Sequence, residues 1–228
     1  MFLQVTPNGG DLIVVDSVSD NVAVISTSHT SSVKTISDTH GPLGVAILPN
    51  GSAAYISNTD GTVSVIKLTS TPRLTKTITF PSPGCTGGGD LLAAAPNGKK
   101  VYVTCTNGAE LWVIKVLHHN QVKEVVHVKV TGQIVITPNG QMAYVNGANG
   151  KVFPIDLKTK KVGKGIPVSD DYGLGISPDG AYVAAPVDAT SQGAVDLIST
   201  SSNAVTSTIQ SGGDAPGWVA FQPSIATS

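Results

Sequence analysis

A Pro-Asn/Asp-Gly tripeptide recurs at Pro7, Pro49, Pro96, Pro138 and Pro178, at intervals of 42, 47, 42 and 40 residues. Self-similarity at such a period is the signature of a repeat architecture, and it constrains this chain more than any other feature. Pro223 follows after 45 more residues, without its glycine. A short apolar strand precedes each proline, as in Gly44-Val45-Ala46-Ile47, Gln133-Ile134-Val135-Ile136, Leu174-Gly175-Ile176 and Trp218-Val219-Ala220-Phe221. A second strand follows each turn, a third ends in isoleucine (Val63 to Ile66, Leu111 to Ile114, Val152 to Ile155), and a fourth closes the unit (Val33 to Ile36, Leu74 to Ile78, Val205 to Ile209). Four short strands joined by turns form an antiparallel meander, which is one propeller blade. Apolar residues alternating with Thr and Ser, and the density of Gly and Asn, exclude helix. The Asn-Gly and Asp-Gly pairs are read as turn chemistry, since a tight hairpin needs positive φ. Asn50-Gly51-Ser52 matches a glycosylation sequon but is read as the same turn.

Tyr55-Ile56-Ser57-Asn58 and Tyr102-Val103-Thr104-Cys105 resemble the YVTN repeat, and Thr62 to Ile66 and Gly44 to Gly51 resemble its flanking segments. The resemblance is to the YVTN-repeat, YncE-like β-propeller family. It implies an all-β propeller of four-stranded antiparallel blades, often exported, including surface-layer and ligand-binding proteins. That family typically has seven blades, whereas this chain holds five units. Its fifth unit, read as Tyr182-Val183-Ala184-Ala185, lacks the Asn. The blades are expected at about 1–38, 39–80, 81–130, 131–168 and 169–211, with an extra inner strand at 217–222, all in a single domain.

Composition narrows the function. Charged residues make up 13% of the chain and the net charge is −1, with no basic stretch interleaved with aromatics, so phosphate-neutralising nucleic-acid binding has no basis. The single arginine, Arg73, argues against phosphorylated or polyanionic substrates. The lysines around Lys151, Lys158, Lys160, Lys161 and Lys164 read as a solvated hairpin face. No apolar run approaches the ~20 residues of a membrane helix. A weakly charged, Ser/Thr/Asn-rich surface suits an extracellular, periplasmic or cell-surface setting, although no signal peptide is visible.

With strands lettered A to D from the axis outward, the A–B and C–D connections lie on one face of a meander and the B–C and D–A connections on the other. The A–B turns are uniform, whereas the D–A loops vary, and varied loops are where function is grafted. The D–A loops carry His40, Asp90, Asp170, Asp171 and Asp214, and the B–C loops Asp60, Asn107, Asn149 and Asp188. Converging carboxylates and amide oxygens could hold Ca²⁺ or orient a polar ligand, or they could simply be turn formers. No catalytic residue is assigned. Cys-x-x-Cys-His, His-x-x-x-His and Gly-x-Ser-x-Gly are absent, the glycine-rich Gly84 to Gly89 leads into no helix, and His118-His119 falls in an outer hairpin. Two readings follow. One is a non-catalytic binding or surface-scaffold propeller with a small-molecule or protein partner at that face. The other is a lactonase- or lyase-like propeller enzyme using the carboxylates and His40.

Two structural expectations complete the reading. Cys85, in the D–A loop entering the third blade, and Cys105, ending its strand B, are placed near one corner and are expected to form a disulfide, the alternative being two reduced, buried thiols. A disulfide would imply an oxidising compartment. Strand A is counted six times, from Phe2–Thr6 to Trp218–Gln222, against five each of B, C and D. The surplus predicts an open arc or part of a larger ring, without contact between the surroundings of Val24 and Leu197, and with self-association through the exposed blade faces. A closed ring with the last strand as a strap is the alternative.

Overall fold

The computed structural model describes residues 2–37, 40–81, 85, 91–105, 109–168, 173–187, 193–213 and 216–221. Among them are twenty strands and no helix, arranged as five four-stranded antiparallel sheets, each a propeller blade. Blade 1 is β1 (Phe2–Val5), β2 (Asp11–Asp16), β3 (Asn21–Ser26) and β4 (Val33–Ser37). Blade 2 is β5 (Pro42–Ile47), β6 (Ala53–Asn58), β7 (Val63–Lys67) and β8 (Arg73–Ile78). Blade 3 is β9 (Leu92–Ala94), β10 (Lys100–Cys105), β11 (Glu110–Lys115) and β12 (Gln121–His127). Blade 4 is β13 (Val130–Ile136), β14 (Met142–Gly147), β15 (Lys151–Asp156) and β16 (Ile166–Pro167). Blade 5 is β17 (Gly175–Ile176), β18 (Tyr182–Val187), β19 (Ala194–Ser199) and β20 (Ala204–Gln210). The chain divides into two compact units, Met1–His127 and Val128–Ser228.

In the first unit the alternation of each strand sends one set of side chains to the following blade and the other set to the preceding one. Ile13, Val15, Val22 and Val24 of blade 1 pack on Ala54, Ile56 and Ile66 of blade 2. On the other face of blade 2, Tyr55, Val63, Val65 and Ile78 pack on Val101, Val103 and Cys105 of blade 3. The repeated turn contributes beyond its own hairpin. Gly51 has φ +68°, and Pro7 Cδ of the preceding blade lies 3.8 Å from where a Cβ on Gly51 would stand; Pro49 and Gly98 repeat this at 3.7 Å. The tripeptide is therefore an inter-blade contact as well as a turn.

In the second unit Val135, Tyr144, Val152 and Ile166 of blade 4 meet Val183, Ala185 and Ile198 of blade 5. Here the register corrects the reading of the fifth repeat. Tyr144 pairs with Val135 and Pro154, and the residue so placed in blade 5, between Gly175 and Leu197, is Ala184. Tyr182 sits two residues earlier, is 43% exposed, and is not the counterpart of the motif tyrosine. The sixth inner strand is also corrected: residues 216–221 belong to no strand. They lie instead beside β17, with Val219 O 3.0 Å from where a Cβ on Gly175 would stand. Gln222 lies outside the described residues.

Candidate functional site

In the first unit, the D–A and B–C face is built from backbone geometry outward. Gly41 has φ +66°, and a Cβ there would collide with the Thr59 hydroxyl, so only glycine lets the two loops approach. The Gly41 N–H donates to Asp20 Oδ1 at 2.7 Å. Thr59 N donates to Gly41 O (2.8 Å) and His40 O (3.1 Å), and the Thr59 hydroxyl also donates to His40 O (3.0 Å). The next residue, Asp60, accepts from Thr62 N (2.9 Å) and from the Thr62 hydroxyl (2.7 Å), both through Oδ1. Behind them the buried Asn58 amide donates to Thr62 Oγ1 and Ser64 Oγ, each at 2.9 Å. A continuous polar chain thus fixes the rim where blades 1 and 2 meet.

Thr59 ties the His40 backbone carbonyl to the turn that carries Asp60. Asn149 stands in the B–C turn of blade 4, exposed, with φ +66°. Asp90, Asn107, Asp170, Asp171, Asp188 and Asp214 lie outside the described residues. Among the described residues no three or more His, Cys, Asp or Glu side chains gather as a metal-binding group. His118 and His119 are exposed in the C–D turn of blade 3.

Sequence reasoning missed three participants. Asp20 was overlooked because its partner is a backbone N–H twenty-one residues away, which no spacing rule finds. Glu110 and His127 face each other across β11 and β12 at the same side of blade 3, with Nδ1 3.2 Å from Oε1. The second oxygen of Glu110, Oε2, is buried without a partner among the described residues, as is Asn58 Oδ1.

Cys85 and Cys105 are joined in a disulfide, with Cα atoms 5.1 Å apart and both residues buried. Cys105 takes the place that Asn58 holds in blade 2, so the residue that clamps a B–C turn in one blade clamps a D–A loop in the next. Leu91 is fixed to the same strand by its backbone bonds to Thr104. A disulfide is compatible with an oxidising compartment. A concavity of about 600 Å³ lies between the outer strands β8 and β12, with Phe80 and Pro81 at the start of the D–A connection into blade 3 in its lining.

No family model matches this sequence, and no curated protein matches it. Among solved structures the chain is similar to "Kuenenia stuttgartiensis Hydrazine Synthase", a propeller-containing protein, with a TM-score of 0.71 and 20% identity. The match covers 87% of this chain and 62% of that one. Identity this low shows a shared fold alone. In all, 1452 solved chains match, and a fold so widely used does not select a function.

Proposed function

We propose that this chain is an exported, non-catalytic binding or surface-scaffold propeller of the YVTN-repeat kind, engaging a polar ligand or a protein partner at the D–A and B–C loop face. The observation that carries this reading is the fixed polar rim of Asp20, Gly41, Thr59 and Asp60. It holds carboxylates in place before any ligand arrives, which lowers the ordering cost of binding. Ca²⁺ is the cation such oxygens would suit, with further ligands drawn from the other candidate loop carboxylates and amides. The disulfide supports export, because thiols in the cytosol are kept reduced. The Tyr55 and Tyr102 motifs support the family.

Thermal-shift titration with Ca²⁺ and with a panel of polar small molecules tests this. A rise in melting temperature that is lost in Asp20→Asn combined with Asp60→Asn is the expected result. Asparagine keeps the acceptor that Gly41 and Thr62 need while removing the charge. Indifference of both proteins to every ligand would leave only the scaffold half of the proposal. Beside His40 and the loop carboxylates, the pairing of Glu110 with His127 gives the enzyme reading a foothold: turnover of a lactone panel, abolished by Glu110→Gln, would overturn the non-catalytic reading.

A further inference from the structure

We propose that the outer edge of β8 accepts an extended, acid-ended peptide segment of a partner protein, added as a further strand in the groove between β8 and β12. In its sheet β8 pairs with β7 alone, and among the described residues its other edge has no strand partner. That edge presents a row of unpaired backbone N–H and C=O groups, which is the requirement for strand addition. The edge does not open onto flat solvent. It lines a groove of about 600 Å³, within the range of ligand-sized clefts, whose far wall is Asn120, Gln121 and Val122.

The groove also has a chemical direction. Lys76, Ile78 and Phe80 alternate along the chain and all line it. Ile78 is buried against blade 3, so one side of an added strand would meet the exposed Lys76 at one end and the half-buried Phe80 at the other. Phe80 is held by Trp112, with ring centroids 5.5 Å apart and planes at 53°, so the apolar end is a supported surface rather than a loose side chain. At the other end Lys76 Nζ donates to the His119 carbonyl and has no carboxylate partner among the described residues. The Lys76 side chain is exposed, so an acidic residue of the added segment can reach its charge. A lysine on an open edge discourages indiscriminate strand pairing, so the same residue that protects the edge would select an acidic segment. A lipid or other amphiphile would meet the cation and the apolar wall but could not use the backbone edge, and for this reason the peptide is the occupant that fits. Antiparallel addition, which continues the sheet's own pattern, places the acidic end at the C-terminus of the segment.

The probe is a synthetic end-blocked peptide in which isoleucine alternates with threonine and the C-terminal positions are aspartate, titrated into the full chain by fluorescence anisotropy and by backbone hydrogen exchange. Saturable binding is expected, with slowed exchange in β8. Lys76→Glu should weaken this peptide several-fold and strengthen a lysine-ended version by a similar factor, and Phe80→Ala should weaken both. N-methylation of alternate peptide bonds, which removes one edge of donors, should abolish binding. The proposal is overturned by an absence of binding at millimolar peptide, by binding that survives N-methylation, or by affinity that Lys76→Glu leaves unchanged while the variant keeps the parent's melting temperature. These readouts rest on Lys76, Phe80 and peptide binding, and the function proposed above is read from Asp20 and Asp60 with Ca²⁺ and polar small molecules, so failure of one is separate from failure of the other.

Discussion

The motif tyrosines illustrate how a residue acquires a role from its neighbour. Tyr55 donates from its hydroxyl to Asn120 Oδ1 at 2.5 Å, and Tyr144 to Asn203 Oδ1 at 2.7 Å. Each acceptor sits in the C–D turn of the following blade, at φ +57° and +51° respectively. Asparagine tolerates the left-handed conformation that these turns demand, and its side chain is then free to receive the tyrosine. Burial pushes both phenols up to about 12 from an ordinary 10.0. The folded pKa lies above the unfolded one and the favoured form is neutral. Their contribution is therefore complete below about pH 10 and is lost as pH rises through about 12. An ultraviolet titration should show two of the tyrosines resisting ionisation until alkaline unfolding, and Tyr55→Phe should remove one of them. Ordinary titration of every tyrosine near 10 in the folded protein would contradict this assignment.

At the scale of elements, the notable contrast is between the two ends of each blade. The A–B turns are interchangeable, because each reverses the chain in the same way, and those of blades 2, 3 and 5 also meet the proline of the preceding blade. The opposite end is individual: an Asx turn holds Asp60 in blade 2, a disulfide holds the D–A loop in blade 3, and a Glu–His pair joins β11 to β12. The disulfide spans a sequence separation of 20 residues. Closing a loop of that size stabilises by about 3 kcal/mol in the chain-entropy account. Reduction, or Cys85→Ser with Cys105→Ser, is expected to lower the stability measured by chemical denaturation by roughly that amount. Intact mass after alkylation of the natively produced protein should show no free thiol, and two alkylated cysteines without reductant would sink the assignment.

At the scale of the molecule, blades 1 and 5 each carry exposed apolar side chains at positions of inter-blade character. In blade 2 Ile78 is 4% exposed against blade 3; its counterpart by register in blade 5, Ile209, is 51% exposed. On blade 1, Leu3, Val5 and Val33 are exposed at 59%, 49% and 51%, and Gly9, unlike Gly51 and Gly98, has no proline among the described residues within 4 Å of where its Cβ would stand. Apolar faces of this kind favour association. Light scattering of this chain should therefore show concentration-dependent self-association. Val33→Lys combined with Ile209→Lys should suppress it without lowering the melting temperature, since both positions already face water. A wild-type chain that stays monodisperse and monomeric at high concentration would refute the expectation.

The propeller fold was legible because the blade repeats. A tripeptide at near-constant spacing, strand-length apolar runs and glycines at turn positions each act locally, and local rules survive without coordinates. The Cys85–Cys105 corner was legible for a related reason, since strand direction alone returns the end of strand B to the side where strand A begins. What the sequence could not decide were choices made by register and by distant backbone. Tyr182 looks like a motif tyrosine until pairing shows Ala184 in its place, a shift of two that keeps the same face and so leaves the alternation unchanged. Asp20 looks like any turn aspartate until Gly41 delivers an N–H to it. The groove at β8 exists only because two outer strands from different blades diverge. Periodicity determined the blades; tertiary structure decided which side chains meet between them, because those contacts depend on positions that no interval in the chain encodes.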